Sequence, residues 1–211
     1  MTPRAALERG LGELALALPA GAVQQLLSYS DLLAKWNRTY NLTAIRDPLQ
    51  MVSHHLLDSL AVLPHLPLAA GARLADIGSG AGLPGIPLAI ARSDCAIVLN
   101  DSSSKKTAFM RQAIIELGLR NAQVHEGRVQ SWRPAELFAV VISRAFAELA
   151  AFVRACRHLV AEGGVLAAMK GAYPRDELAR LAGEARCDVV RELRVPLLEA
   201  QRHLALCRME G

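Results

Sequence analysis

The sequence predicts an α/β fold in which helices precede an open, mostly parallel sheet. Three observations support this prediction. Residues 73–85 combine a short apolar strand, a glycine-rich turn and a helix start, and strand-like and helical stretches then alternate along the chain. Before residue 70, in contrast, apolar residues recur at helical spacing. Alternating strands and helices are typical of a parallel sheet with helices on its faces.

The glycine-rich turn predicts a nucleotide-binding unit. Asp76 stands near the end of the strand, Gly78, Gly80 and Gly82 follow it at alternate positions, and Gly85 opens the next helix. Glycine has no Cβ atom, so a ligand can lie directly against the backbone there. A purely structural turn explains the three alternating glycines and the acid less well.

The charge of Asp76 helps to choose between nucleotides. Residues 80–85 also satisfy the dinucleotide pattern G-x-G-x-x-G, so NAD and FAD are alternatives. A carboxylate at the strand end would repel a pyrophosphate and attract a cation. S-adenosylmethionine carries an ammonium and a sulfonium, so the pattern favours this cofactor over a nicotinamide or flavin nucleotide.

Later strand ends supply further candidate site residues. Asp101 follows the predicted second strand, 96–100, at the distance where nucleotide-binding folds place an acid on the ribose hydroxyls. Arg128, Val129 and Gln130 follow the next predicted strand and are expected beside the adenine. Arg144 follows a fourth strand and is placed to act on substrate or cofactor.

The remaining elements follow from periodicity and turn residues. Helices are expected over 5–18 and 22–37. A third helix is expected to start at Pro48, with Asp47 as its N-cap. Helical spacing would bring His55 within hydrogen-bonding reach of Asp58. A turn is expected at 162–164. The other predicted strands are 122–126, 138–142, 165–169 and an antiparallel pair at 187–195 and 203–207, and the other helices are 105–117, 149–159 and 174–183. We expect a helical extension over 1–70 and a cofactor-binding domain over 71–211.

The amino-acid composition limits the classes of partner that the protein is expected to bind. The formal net charge is +4, which is compatible with a nucleic-acid partner but does not require one, and the aromatic content of 4% argues against broad base-stacking platforms. Four widely spaced cysteines without a C-x-x-C pair predict neither a zinc site nor a disulfide, but reduced and mostly buried thiols. The charged N-terminus and the lack of a long apolar run predict a cytoplasmic protein without a membrane partner or a metal.

Over residues 32–203 the chain resembles the bacterial 16S rRNA guanine-N7 methyltransferases, also called the methyltransferase G or glucose-inhibited division protein B family. The glycine motif marks only the superfamily, whereas the Tyr-Asn-Leu-Thr, Leu-Pro-Gly-Ile-Pro and Ser-Arg-Ala-Phe stretches are specific to this family. The matching stretches are 35–43, 55–59, 76–87, Asp101-Ser102 with Lys105-Lys106, 142–146, 169–171 and 202–203.

The resemblance implies a class I S-adenosylmethionine-dependent methyltransferase with a seven-stranded, Rossmann-like sheet and an N-terminal helical extension. It implies methyl transfer to N7 of one guanine (527 in standard numbering) in 16S rRNA of the small ribosomal subunit. The predicted cofactor-binding residues are Asp76, Gly78, Gly80, Gly82, Leu83, Asp101, Arg128, Val129, Gln130 and Arg144.

The implied chemistry needs positioning rather than acid–base catalysis. Guanine N7 carries a free in-plane lone pair, so attack on a sulfonium methyl requires no general base. Alignment alone can lower a barrier by roughly 7–11 kcal/mol. We therefore expect Arg144 to orient the cofactor or to grip O6 or a phosphate, and not to act as an acid.

Six basic residues near the predicted strand ends are candidates for RNA phosphates, and Phe146 and Tyr40 are candidates for stacking on a base. The six are Lys105, Lys106, Arg111, Lys170, Arg202 and His203. Two departures from the family pattern concern these surroundings. Asn100 replaces a hydrophobic residue before the ribose acid, and Ala200-Gln201 replaces a frequent Gly-Glu pair. The alternatives are a small-molecule or protein methyltransferase, a non-catalytic RNA-binding factor and a nicotinamide enzyme.

Overall fold

The computed structural model describes residues 1–144, 146, 148–181, 183 and 185–209. Within these residues seven strands form one sheet. They are β1 (Arg73–Ile77), β2 (Ala96–Asp101), β3 (Ala122–Glu126), β4 (Phe138–Ser143), β5 (Val160–Lys170), β6 (Arg186–Glu192) and β7 (His203–Arg208). Their order across the sheet is β3-β2-β1-β4-β5-β7-β6, and β7 runs antiparallel to both of its neighbours. The predicted mostly parallel sheet with an antiparallel edge is confirmed.

Helices cover both faces of the sheet, and this explains why its central strands are apolar throughout. In β1 the four residues from Leu74 to Ile77 are buried. The helices are α1 (Pro3–Glu13), α2 (Ala22–Tyr40), α3 (Pro48–Met51), α4 (Asp58–Leu60), α5 (Gly85–Ala91), α6 (Ser104–Leu117), α7 (Leu149–Cys156) and α8 (Arg175–Ala179). A π-helical turn, Val52–Leu57, joins α3 to α4. Among the described residues, no helix combines the length and apolarity that crossing a membrane requires.

The first two helices end at different residues from those predicted. The helix expected over 5–18 ends at Glu13, because Ala15 takes a left-handed conformation (φ 52°) and the Leu16 amide closes back onto the Leu11 carbonyl. The second helix continues three residues beyond the predicted end. Its last turn is fixed by Asn37, whose side-chain oxygen accepts the Thr43 amide at 2.9 Å.

The Asp47 cap is confirmed, but the predicted His55–Asp58 hydrogen bond is wrong. Asp47 accepts the Gln50 amide at 2.8 Å. His55 Nε2 instead lies 2.8 Å from the Thr43 hydroxyl. The expected pairing assumed α-helical spacing, whereas the π-helical turn changes the relative directions of these side chains.

The C-terminal third departs from the prediction at three places. The segment 162–164, where a turn was expected, lies inside β5. The pairing of β5 with β4 is irregular there, and Gly163 has a positive φ of 73°. Within the range 174–183, where one long helix was expected, the structure shows only the short helix α8, and Ala182 lies outside the described residues. The structure joins Cys187 and Cys207 as a disulfide across β6 and β7, which corrects the expectation of four free thiols. Antiparallel pairing brings these two cysteines together although 20 residues separate them.

The N-terminal helices share a hydrophobic core with the sheet. Leu7 of α1, Leu26 of α2 and Leu57 of the π-helical turn are buried in one cluster with Leu74 and Leu99 of the sheet. The packing between α1 and the π-helical turn is close at Gly10, where an added Cβ would lie 2.3 Å from Leu57 Cδ1. The division into an extension over 1–70 and a domain over 71–211 stays a prediction.

We expect Gly10→Ala to lower the free energy of unfolding by about 1–2 kcal/mol, because the new methyl group must displace the buried Leu57 side chain. Gly12→Ala is the matched control on the same helix, since no atom lies within 4 Å of its added Cβ. It should leave stability unchanged or raise it by roughly 0.5–1 kcal/mol. Urea unfolding of both variants checks this difference, and equal midpoints would contradict the packing described for Gly10.

Candidate active site

A cavity of about 490 Å³ opens at the carboxyl edge of β1, β2 and β3. Ligands of open parallel sheets bind at this edge. Five of the predicted cofactor-binding residues line the cavity: Gly78, Asp101, Arg128, Val129 and Gln130. Ile77, Asn100, Ser102, Gly127, Ser131 and Phe146 complete its lining. The sequence therefore predicted correctly that these five residues lie together at this edge of the sheet. Their contacts with a cofactor stay predictions.

The glycine turn lies next to the cavity, and its first glycine, Gly78, lines it. Gly78 and Gly80 have positive φ values of 68° and 60°, which a residue with a Cβ rarely adopts. The Ser79 amide donates to the Asn100 carbonyl at 2.9 Å, and its carbonyl accepts the amides of Gly82 and Leu83 at 2.8 and 2.9 Å. Gly82 and Leu83 are therefore buried within the turn and do not line the cavity.

Asp101 connects the turn to the start of α6. One carboxylate oxygen accepts the Gly80 amide at 3.0 Å and the other accepts the Ser103 amide at 2.9 Å. Lys106 Nζ lies 3.5 Å from the first oxygen. Asp101 thus fixes Ser103, the residue before α6 whose own side chain makes no cap bond, while it also lines the cavity.

Asp76 is fully buried beneath the glycine turn. Its Oδ2 accepts the Gly85 amide at 2.8 Å, and its Oδ1 has no hydrogen-bond partner within the described part of the chain. Burial raises the pKa of this carboxyl to about 6. A half-partnered buried carboxylate costs free energy unless a donor or a cation approaches it.

Tyr29 supports the same turn and was missed by the sequence analysis. It projects from α2, is fully buried, and its hydroxyl donates to the Ala81 carbonyl at 2.6 Å. Burial raises the pKa of this phenol. The sequence showed only one more residue on the buried face of an amphipathic helix, and that pattern does not reveal a hydrogen bond to a turn 52 residues away.

Asn100 has a structural role that explains its departure from the family pattern. The side chain is buried, and its Nδ2 donates to the carbonyls of His125 and Gly127 at 3.2 and 2.9 Å. These bonds tie the end of β2 to the loop that carries Arg128 and Val129. The polar residue thus fixes one wall of the cavity.

A second cluster lies where β4 ends against the N-terminal helices. Asp58 is buried, and its Oδ2 lies 3.3 Å from Arg144 Nη1 while its Oδ1 accepts the Arg202 Nε at 2.8 Å. Arg144 also donates to the His54 carbonyl at 3.3 Å. We call Asp58, Arg144 and Arg202 the Asp58 cluster. Arg144 keeps 30% of its side chain exposed, so this carboxylate orients it without covering it.

The structure separates the six candidate RNA-binding residues into two groups. Lys170 and His203 are buried, and Lys170 donates to Glu177 at 2.7 Å. Together with Arg202, which is bound by Asp58 and keeps 23% of its side chain exposed, they form a group at β5 and β7. Lys105, Lys106 and Arg111 lie on α6, where Lys105 is exposed, Lys106 faces Asp101, and Arg111 lies 3.0 Å from Glu126. Burial therefore counts against free phosphate contacts for Lys170 and His203.

The two aromatic candidates occupy different places. Phe146 lines the cavity and packs against Phe152 with ring centroids 5.2 Å apart. Ala145, which precedes it in the family stretch, lies outside the described residues. Tyr40 lies at the end of α2, is 38% exposed and stacks on Trp36. In the described ranges no group of three or more His, Cys, Asp or Glu is arranged to hold a metal ion.

The fold is similar to that of solved methyltransferases. TrmN from Thermus thermophilus aligns with a TM-score of 0.60 at 16% identity, over 82% of this chain and 53% of that chain. A SAM-dependent methyltransferase from Aquifex aeolicus aligns with a TM-score of 0.57 at 16% identity, over 83% and 97% of the two chains. At such identities the likeness concerns the fold alone.

The sequence comparisons are more specific. A family model described as rRNA small subunit methyltransferase G matches residues 22–205. The ribosomal RNA small subunit methyltransferase G of Laribacter hongkongensis is 52% identical over 198 residues, 94% of each chain. The protein of the same name from Aromatoleum aromaticum is 53% identical over 206 residues, 96% of this chain and 97% of its own. Since the family model spans most of the chain and both relatives align over nearly their full lengths, the chain belongs to the rRNA small subunit methyltransferase G family.

Proposed function

We propose that this chain transfers a methyl group from S-adenosylmethionine to N7 of guanine 527 in 16S rRNA, acting on the small ribosomal subunit in the cytoplasm. The observation that carries the proposal is the buried Asp76 carboxylate, whose second oxygen lacks a partner in the described residues, next to a cavity lined by Asp101. A buried carboxylate with an unpartnered oxygen favours a ligand that brings a cation or a donor. The names of the relatives supply the acceptor class.

The residues present fit the proposed cofactor. The cavity volume of about 490 Å³ falls within the range of roughly 300–1,000 Å³ that small-molecule sites occupy. Asp101 would accept the ribose hydroxyls, and the loop carrying Val129 and Gln130 would face the adenine. Asp76 is placed to favour the cationic amino-acid end, while the turn built on Gly78 and Gly80 leaves the backbone open to it.

Bound in this site, the cofactor would supply a methyl group on a positively charged sulfur. The chain itself then has to align guanine N7 with that methyl group, because the N7 lone pair is free without a general base. Alignment of this kind can contribute roughly 7–11 kcal/mol to the barrier. Arg144 fits a positioning task, since a guanidinium remains protonated and only donates hydrogen bonds.

The Asp58 cluster supports this assignment. Two guanidinium groups and one buried carboxylate form charge-assisted hydrogen bonds, which are stronger and more directional than neutral ones. Asp58 therefore holds Arg144 at the end of β4 with part of its side chain exposed. We infer that the exposed donors of Arg144 grip the acceptor guanine at O6 or a neighbouring phosphate.

The proposal is tested by incubating the protein with tritiated S-adenosylmethionine and small subunits that lack their own N7-methylguanine. Label confined to one guanine of 16S rRNA supports it. Cofactor binding without transfer to subunits, naked 16S rRNA or assembly intermediates contradicts it. That outcome would favour a small-molecule or protein acceptor, or a non-catalytic RNA-binding factor.

We expect the affinity for S-adenosylmethionine to rise as the pH increases through about 6, because Asp76 must ionise to attract the cofactor's cations and burial raises its pKa to about 6. Below this pKa each pH unit should weaken binding by up to about tenfold, and above pH 7 the affinity should level off. Calorimetry between pH 5 and 8 measures the profile. Asp76→Asn should bind weakly at every pH, and a wild-type profile in that variant would contradict the role of Asp76.

We expect Asp58→Asn to lower the methyl-transfer rate about 10- to 100-fold while the cofactor dissociation constant changes little, because a neutral amide cannot orient two guanidinium groups. Single-turnover rates and equilibrium dialysis separate these effects. Asp94→Asn is the matched control, since it breaks an ion pair in which Asp94 is 45% exposed. The control should keep both properties, and an unchanged rate in Asp58→Asn would contradict the assignment.

A further inference from the structure

The carboxyl end of α2 and the amino end of α6 meet at the same edge of the sheet as the cavity. The two helices run in opposite directions: Gln25 near the start of α2 donates to the Leu117 carbonyl at the end of α6. Towards the other ends, the Trp36 ring lies 5.5 Å from that of Phe109. Since α6 begins directly after Asp101, this junction borders the candidate cofactor site.

The junction carries an exposed aromatic ring whose orientation is fixed. Tyr40 lies one helical turn beyond Trp36 and stacks on it with ring centroids 5.1 Å apart and an angle of 30° between the planes. Trp36 in turn contacts Phe109, so the stack is anchored in the core at one end. At the other end Tyr40 is 38% exposed. A supported aromatic ring of this kind is a typical stacking surface for an unpaired base.

Exposed cations lie on the segments that adjoin this ring. Lys105 lies one turn before Phe109 on α6 and therefore on the side that faces α2. Arg46 is exposed on the loop that follows α2, where it lies 3.4 Å from the Asn41 side-chain oxygen. The nearby Asp47 is already engaged as the cap of α3. The balance of charge at the junction is positive.

We propose that Tyr40, Lys105 and Arg46 form a docking face for an unpaired segment of the RNA substrate. Tyr40 stacks on a base near the target guanine, and the two cations contact phosphates. This inference rests on the proposed function and names the surface that receives its substrate. It places RNA docking on the α2–α6 side, because Lys170 is buried and paired with Glu177, and Arg202 is engaged by Asp58.

The test measures binding of an unmodified 16S rRNA transcript at several salt concentrations, together with the S-adenosylmethionine dissociation constant. Tyr40→Ala and Tyr40→Leu should both weaken RNA binding roughly tenfold or more, because neither offers a flat ring. Tyr40→Phe should bind as the wild type does. Lys105→Ala should weaken RNA binding and reduce its salt dependence by about one phosphate contact. All four variants should keep wild-type cofactor affinity.

Arg120→Ala is the matched control, since Arg120 is an exposed cation just beyond the opposite end of α6. It should leave RNA binding unchanged. Wild-type RNA affinity in both Tyr40→Leu and Lys105→Ala overturns the docking face, as does an equal loss in Arg120→Ala. Normal binding to the transcript with lost binding to small subunits also overturns it, in favour of a ribosomal protein as the contact. If the wild-type protein neither binds nor methylates RNA, the proposed function itself fails.

Discussion

The buried carboxylate of Asp58 joins three distant parts of the chain. Its two oxygens bind Arg144 and Arg202, which lie 86 and 144 residues away, at the end of β4 and before β7. Removing a charge from water is costly unless good geometry compensates it, so such a cluster requires all three residues to be in place. The direction of Arg144, and hence what it can do at the sheet edge, depends on a residue of the N-terminal helices.

The same helices also support the cofactor side. Tyr29 of α2 reaches the Ala81 carbonyl, and the buried face of α2 packs on α6, whose preceding residue Ser103 is bound by Asp101. The glycine turn is thus fixed from three sides: by Asp76 below, by Asp101 beside it and by Tyr29 from the preceding helix. The helical region therefore contributes to the candidate site from both ends, although the sequence presented it as an extension.

The sequence predicted the features that depend on residues close together in the chain better than those that depend on contacts between distant segments. The β1–turn–α5 unit, the place of Asp101 at the end of β2 and the antiparallel pair of strands at the edge follow from local patterns, and the structure confirms these elements. The bonds of Asn100, the Cys187–Cys207 disulfide and the Asp58 cluster arise from contacts between segments far apart in sequence. No periodicity encodes those contacts. The π-helical turn also misled the analysis, since α-helical spacing paired Asp58 with His55.

A double-mutant cycle between Asp58→Asn and Arg144→Gln in the single-turnover methyl-transfer rate tests the central claim most directly. If Asp58 acts by holding Arg144, the two losses overlap, and the double variant should be hardly slower than Arg144→Gln alone. If the double variant instead loses the product of the two single effects, the residues act independently. The account of the Asp58 cluster as the element that positions Arg144 would then be wrong.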